Sequence, residues 1–286
     1  WVTVIAQEHP LEYSKVAIDR DAKTGAFTGT TSNVARLALT PAASTAAGAA
    51  VRVDLDGAKL EATPAADGRL HLVRDASGWK TADPPDPRFK GPARSGGFKD
   101  AFRHRVVLVY GTGGTADERA RAFNKARFDA ETFWYRGNGS VDVVSDRVFD
   151  PAQDRDRNVV LYGNADTNAL WAKLLGGGPV DVRAAKVRID DREFPGLDLG
   201  IYFVRPREGS ATASVGAVAW TGAAGWAAVQ PVQYFVSGAG FPDLMLLSAD
   251  ALNVGTAGVR AIGWFGNDWS VERGDFAWSA VAAVQR

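Results

Sequence analysis

Two glycine-bearing stretches are where this sequence could turn backbone N–H groups toward a ligand. Gly111-Thr112-Gly113-Gly114-Thr115-Ala116 fits the G-x-G-x-x-A form of a dinucleotide fingerprint. Asp146 closes the next strand-like run, where an acid would reach a ribose hydroxyl. Unpaired N–H groups where a helix opens favour an anion, so the chemistry is sound. The spacing departs from the pattern: the acid stands about thirty residues past the loop where about twenty is usual. A tight strand-to-helix turn needs glycine whether or not it binds anything. The second stretch, Gly163-Asn164-Ala165-Asp166-Thr167, also follows an apolar run and precedes a helical pattern. The ligand-binding candidates are therefore Gly111, Thr112, Gly113, Gly114, Thr115, Asp146, Asn164, Asp166 and Thr167, with an ordinary polar rim as the competing reading.

Other chemistries lack their residues. No G-x-S-x-G nucleophile elbow exists: Ser140 is flanked by Asn138 and Asp142, and Ser237 by Phe235 and Ala239. Gly91 to Gly97 has the glycine frame of a phosphate loop, but Gly97 stands where lysine must reach the phosphates. His9, His71 and His104 share no ligand spacing, and cysteine is absent, so no metal site is expected. Asp142 with Asp146, or Asp190 with Asp191, could be offered as a carboxylate pair, although acids at strand ends are mostly solvated. Trp220, Trp226, Trp264, Trp269 and Trp278 could stack a sugar, yet core packing is the commoner fate of tryptophan. No catalytic residue, metal or cofactor is assigned.

The elements that would position the loops follow from periodicity. Through Trp79 the pattern has period two, as in Lys15 to Asp19, Ala35 to Leu39, Val51 to Leu55 and Arg69 to Val73, with turns at Asp56-Gly57 and Asp67-Gly68. This predicts a small antiparallel β-domain over 1–83. Prolines and glycines over 84–97 predict a linker. From residue 98 to 286 the pattern becomes that of an α/β domain, Rossmann-like or flavodoxin-like, with a mostly parallel but mixed sheet. Arg105 to Tyr110 and Asn158 to Tyr162 read as buried strands. Ala116, Ala120, Phe123, Ala130 and Phe133 mark a helix opened by the capping-box pair Thr115 and Glu118, and a second helix is predicted over Asn168 to Leu175. Further strands are expected at 141–146, 184–190, 199–205, 215–220, 244–247 and 259–265. If the strands ending at Tyr110 and Tyr162 are adjacent and parallel, their loops meet at the carboxyl edge of the sheet, where α/β folds bind ligands.

Composition narrows the partners. Lys plus Arg is 33 and Asp plus Glu is 33 in 286 residues, which removes the broad basic field that nucleic acid or an acidic membrane attracts. No run approaches the ~18 apolar residues of a membrane span. With 46% hydrophobic residues and nine Trp, the chain is globular, and a cysteine-free chain suits either redox compartment. The sequence begins at Trp1 in a strand-like run, so something upstream is expected to be missing.

Three stretches carry a family resemblance. They are Gly97 to Phe102 leading into Val107 to Thr112; Arg157 to Asn168; and Phe241-Pro242-Asp243 with Gly263 to Trp269. Together they resemble the C-terminal region of large bacterial serine hydrolases of the prolyl-oligopeptidase-like α/β-hydrolase group, and Thr31 to Leu37 is similar to that region as well. The resemblance implies that serine, acid and histidine lie in an upstream catalytic domain of the same polypeptide, and that this chain is an accessory binding or assembly region of a secreted or periplasmic peptidase or esterase. A small-molecule or glycan ligand is compatible with that role. The alternatives are a self-contained hydrolase with a scattered acid–base site and a carbohydrate-binding module using the β-domain.

Overall fold

The structure is a computed structural model that describes residues 1–46, 48–279 and the backbone of 284–285. The chain divides into two compact units, Trp1–Pro92 and Ala93–Arg286.

The first unit is a β-sandwich of eight strands: β1 (Val2–Ala6), β2 (Lys15–Arg20), β3 (Phe27–Ser32), β4 (Arg36–Leu39), β5 (Val51–Leu55), β6 (Ala58–Ala62), β7 (Leu70–Asp75) and β8 (Gly78–Thr81). They form two four-stranded sheets, β1-β4-β7-β8 and β2-β3-β5-β6. Every pairing is antiparallel except β3 with β5, which run parallel. Alternation sends Phe27, Leu37, Leu39, Val53, Leu55 and Leu72 inward to one core. Sequence periodicity missed β3, which apart from Phe27 is Thr, Gly and Ser. Its Gly29 permits the close pairing: a Cβ there would sit 2.1 Å from the Ala17 carbonyl oxygen. The predicted turn at Asp56-Gly57 has φ of 51° and 84°, the left-handed pair of a two-residue hairpin. Asp56 also accepts hydrogen bonds from Thr31 N (2.8 Å), Thr31 Oγ1 (2.6 Å) and Trp79 Nε1 (2.8 Å), which joins β3 of one sheet to β8 of the other.

The proline- and glycine-rich stretch 84–97 is not a single connector, because the boundary falls inside it, after Pro92. Arg94 is already buried in the second unit, where its Nη1 donates to the carbonyls of Ser210 (3.0 Å) and Ala213 (2.7 Å). Gly97, at φ 79°, donates its N–H to Asp243.

The second unit contains, in order, β9 (Val107–Tyr110), α1 (Ala116–Gly137), β10 (Asp142–Ser145), β11 (Val159–Tyr162), α2 (Trp171–Leu174), β12 (Val180–Arg183), β13 (Lys186–Ile189), β14 (Arg192–Pro195), β15 (Leu199–Pro206), β16 (Ser214–Trp220), α3 (Ala223–Val229), β17 (Leu244–Ser248), α4 (Ala251–Val254), β18 (Val259–Trp264), β19 (Asp275–Trp278) and β20 (Val284–Gln285). Its main sheet is mixed and eight-stranded, in the order β10-β9-β11-β16-β15-β17-β18-β19. The first three pairings are parallel and the last four antiparallel. The antiparallel half is as large as it is because the segments joining β15 to β16 and β17 to β18 are too short for a crossover. A small antiparallel sheet, β12-β13-β14-β20, forms separately. Tyr162 reaches α1 and Gly200 packs under α3, so both helices cover one face, while Phe203 meets Trp171 of α2 on the other.

Two helices differ from their sequence pattern. α1 buries Ala122, Lys125, Ala126 and Asp129; Ala116 and Ala120 are exposed, Phe123 is 40% exposed, and Ala130 and Phe133 are half-buried. The buried face is turned toward a lysine and an aspartate because they neutralise each other. α2 is four residues long rather than spanning Asn168 to Leu175. Asn168 is occupied elsewhere: its side-chain oxygen accepts Leu170 N (3.1 Å) and its amide nitrogen reaches two strand carbonyls. Among the described residues no helix is long and apolar enough to cross a membrane.

Candidate functional site

β9 and β11 are neighbours and parallel, with Tyr110 opposite Tyr162, so the two glycine-bearing loops do meet at the carboxyl edge. Gly111 N donates to Tyr162 O (2.9 Å) and Gly113 N to Thr167 O (2.8 Å). The glycines are required by this contact. A Cβ on Gly111 would lie 2.5 Å from the Thr167 carbonyl oxygen, and one on Gly113 would lie 2.9 Å from it. The backbone that approaches this closely is the partner loop, in the place where a dinucleotide fold would admit a pyrophosphate.

The side chains of the rim bond largely to nearby backbone and in part to one another. Asp146, 4% exposed, is turned inward, accepting Thr112 Oγ1 (2.7 Å) on one oxygen and Ala169 N (2.8 Å) on the other. Asn164 donates to Trp220 O (2.9 Å) and accepts Asp166 N (3.0 Å), and its own N–H goes to Thr167 Oγ1 (3.0 Å). Asp166 receives Ala184 N (2.9 Å) and Arg183 Nη1 (2.8 Å), and the nearby Asp181 and Asp166 hold the Arg183 guanidinium above its ordinary pKa. Asn168, which sequence reasoning passed over, bonds both Val109 O and Tyr162 O at 3.1 Å and so ties β9 to β11. The positive end of α1 is also occupied: Glu118 accepts Thr115 N (2.8 Å) while Thr115 Oγ1 accepts Glu118 N (3.2 Å). The nine candidates thus lie along one rim, and its side chains are bonded to one another and to neighbouring groups of the protein, Ala169, Ala184, Arg183 and Trp220 among them. What this arrangement does chemically is close the sheet edge.

A group of shifted titratable side chains lies elsewhere, beneath α1. Lys125 Nζ donates to Asp129 Oδ1 (2.8 Å) and Gln230 O (3.3 Å), while Asp129 Oδ2 accepts the hydroxyls of Tyr162 (2.9 Å) and Tyr234. Lys125, Asp129, Tyr162 and Tyr234 are all at most 2% exposed. Burial raises the Asp129 carboxyl against the opposing pull of Lys125, and burial with the Asp129 charge raises both phenols well above 10.0. The Lys125-x-x-x-Asp129 spacing was a usable signal, since residues four apart share a helix face. The group resembles an acid–base constellation in composition, but Phe98, Phe102 and Phe235 pack round Tyr234 and seal it.

The remaining candidates are dispersed. His71, on β7 of the first unit, bonds Asp67 at 2.9 Å, while His104 and Ser140 are exposed in the second. Asp190 lies in the β13–β14 turn at φ 55°. Trp220 and Trp269 are core residues, and Trp278 is stacked between Phe276 and Phe194. Among the described residues no group of three His, Asp or Glu could hold a metal. No protein-family model matches this chain, and no curated protein matches it.

Proposed function

We propose that this chain is a binding or assembly region of a larger serine hydrolase, a peptidase or esterase of the prolyl-oligopeptidase-like group, with the catalytic serine, acid and histidine in a domain upstream on the same polypeptide. The observation that carries this reading is that the side chains of the carboxyl-edge rim are engaged by the protein's own backbone and side chains. In a ligand-binding α/β domain those groups would be directed at substrate; here Asp146, Asn164, Thr167 and Asn168 hold strands and loops together. The sealing of the Lys125–Asp129 cluster supports it further, because acid–base work requires the groups to reach a reacting atom. The self-contained hydrolase and the carbohydrate-binding module have less behind them: Phe27 and Trp79 of the sandwich are core residues, and its most exposed aromatic, Tyr13, lies in a loop rather than in a row on a sheet face.

The test has two arms. Esterase and peptidase assays on this chain are expected to give background rates, and addition of the separately produced upstream region is expected to yield both activity and a measurable complex. Turnover by the chain alone, lost on His104→Ala or Ser140→Ala, would overturn the reading. So would an upstream reading frame without a G-x-S-x-G strand–turn–helix.

A further inference from the structure

A cleft of about 540 Å³ opens on the second unit, and Pro179, Arg188, Asp190, Arg205, Trp269 and Glu272 are among its lining residues. Its size lies within the roughly 300–1,000 Å³ of small-molecule sites. One wall is a strained turn. Trp269 has φ 64°, a left-handed backbone that a bulky residue adopts only when its surroundings impose it, and it is held there by Trp269 N to Gly266 O (2.8 Å) and Gly266 N to Ser270 O (2.9 Å). The turn directs the Trp269 carbonyl to Arg205 Nη1.

Arg205, near the end of β15, lies with its guanidinium 4.5 Å from the Phe265 ring centre and 5.9 Å from that of Trp269. Burial pulls its pKa down to about 10, against the pull of Asp243 and Asp268. Neither acid forms an ion pair with it among the described residues. Asp268 is engaged by Ser270 Oγ (2.7 Å) and Arg273 (3.2 Å), and Asp243 by the N–H groups of Gly97 and Phe265. A guanidinium has five N–H donors in a planar fork, and one of these is committed to the Trp269 carbonyl. A half-buried guanidinium with acids near it but no direct ion pair among the described residues, lying over an aromatic ring and bordering a cleft, suits a planar anion. The other charges select which anion. Asp190, Asp268 and Glu272 outnumber the two arginines of the lining, Arg188 and Arg205, and so disfavour a dianion such as phosphate, whereas Asp190 and Glu272 suit an ammonium group on the same ligand.

We propose that this cleft binds a zwitterionic amino-acid or short-peptide ligand, with its carboxylate on Arg205 and its ammonium toward Asp190 and Glu272. This holds whether or not the hydrolase reading does. The test is a titration of the ¹⁵N-labelled chain, followed at the Trp269 indole and the amides of 266–272, with the free dipeptide glycyl-leucine, its C-terminal amide, its N-acetyl form and inorganic phosphate. Saturable shifts with the free dipeptide are expected, weakened about tenfold by amidation and severalfold by acetylation, because each removes one charged contact. Arg205→Lys, which keeps charge but loses the fork, should weaken binding about tenfold. Absence of saturable shifts with the dipeptide, equal binding of its amide, tighter binding of phosphate, or full affinity in a folded Arg205→Lys chain would each overturn the proposal. If Arg205→Lys does not fold, the ligand series on the unaltered chain decides.

Discussion

The second unit removes polar groups from water in two ways, and the contrast is instructive. Beneath α1, a lysine and an aspartate face each other with two tyrosine hydroxyls in an otherwise apolar core. At the carboxyl edge, side-chain amides and hydroxyls pair largely with backbone: Asn168 ties β9 to β11, and Asn164 ties β11 to the end of β16. The first assembly depends on charge, so removing one member leaves an ion without compensation in low dielectric. The second is mostly neutral and divided among many bonds, so each loss is local. Convergent, strongly shifted titratable groups are often read as catalysis. Here the shifted groups beneath α1 are enclosed, and they give the buried face of a helix its polar partners.

The largest expected effect breaks the charged assembly. Asp129→Ala should cost about 3–5 kcal/mol in chemical denaturation of the second unit, because Lys125 is left buried and unpaired. The double replacement Lys125→Met with Asp129→Leu should cost less than the single one, since only the tyrosine hydroxyls then lose a partner; equal costs would mean that the pair is not what holds the cluster. Next comes the rim. Gly111→Ala forces a methyl to 2.5 Å from the Thr167 carbonyl oxygen and should cost about 1–3 kcal/mol, with amide shifts confined to 111–115 and 163–169. Asn168→Ala should cost a similar ~1–3 kcal/mol and loosen hydrogen-exchange protection at the ends of β9 and β11. Smaller again is Thr115→Ala, which removes a capping box at about 1 kcal/mol and frays the first turn of α1.

A pH experiment extends the comparison to the sandwich. Burial alone would raise the Asp56 carboxyl, but hydrogen bonds from Thr31 and Trp79 overcome it and hold the group below 3.8. Its ionised form therefore stabilises the fold above that value, and this contribution is lost as pH falls through the depressed folded pKa. Acid titration of the first unit should show the loss below pH 3.8, and Asp56→Asn should flatten it. An unchanged profile in the variant would assign the acid sensitivity to other carboxylates.

Much of this architecture was legible. Continuous apolar runs located β9 and β11 because strands covered on both faces lack alternation, and Asp56-Gly57 gave its turn because only certain residues accept left-handed backbone. β3 was not legible, since Thr28 to Ser32 carries no apolar alternation and its pairing comes from neighbours distant in sequence. Apolar spacing gives α1 the wrong phase for a physical reason: it puts Phe123 inward, whereas Lys125 and Asp129 are buried there because they pair with each other and Asp129 accepts from Tyr162 and Tyr234, which lie far away in sequence. The rim was legible as a place but not as a structure. Gly111, Asp146 and Asn164 were picked out correctly as neighbours, whereas the direction in which Asp146 points depends on Ala169, a residue with no sequence signal at all. Arg205 escaped notice because a charge at a strand end looks solvated until an aromatic turn closes over it.

The composition of the α1 face also bears on how the chain is made. Lys125 and Asp129 meet Gln230 and Tyr234, which follow in the chain by 105 residues in each case. At ribosomal rates of roughly 5–20 residues per second, α1 is synthesised about 5–20 seconds before its partners exist. A nascent helix with leucines on that face would present a sticky apolar surface for the whole interval. With a lysine and an aspartate one turn apart it remains wettable, and it becomes part of a dry interior only when the second tyrosine is delivered.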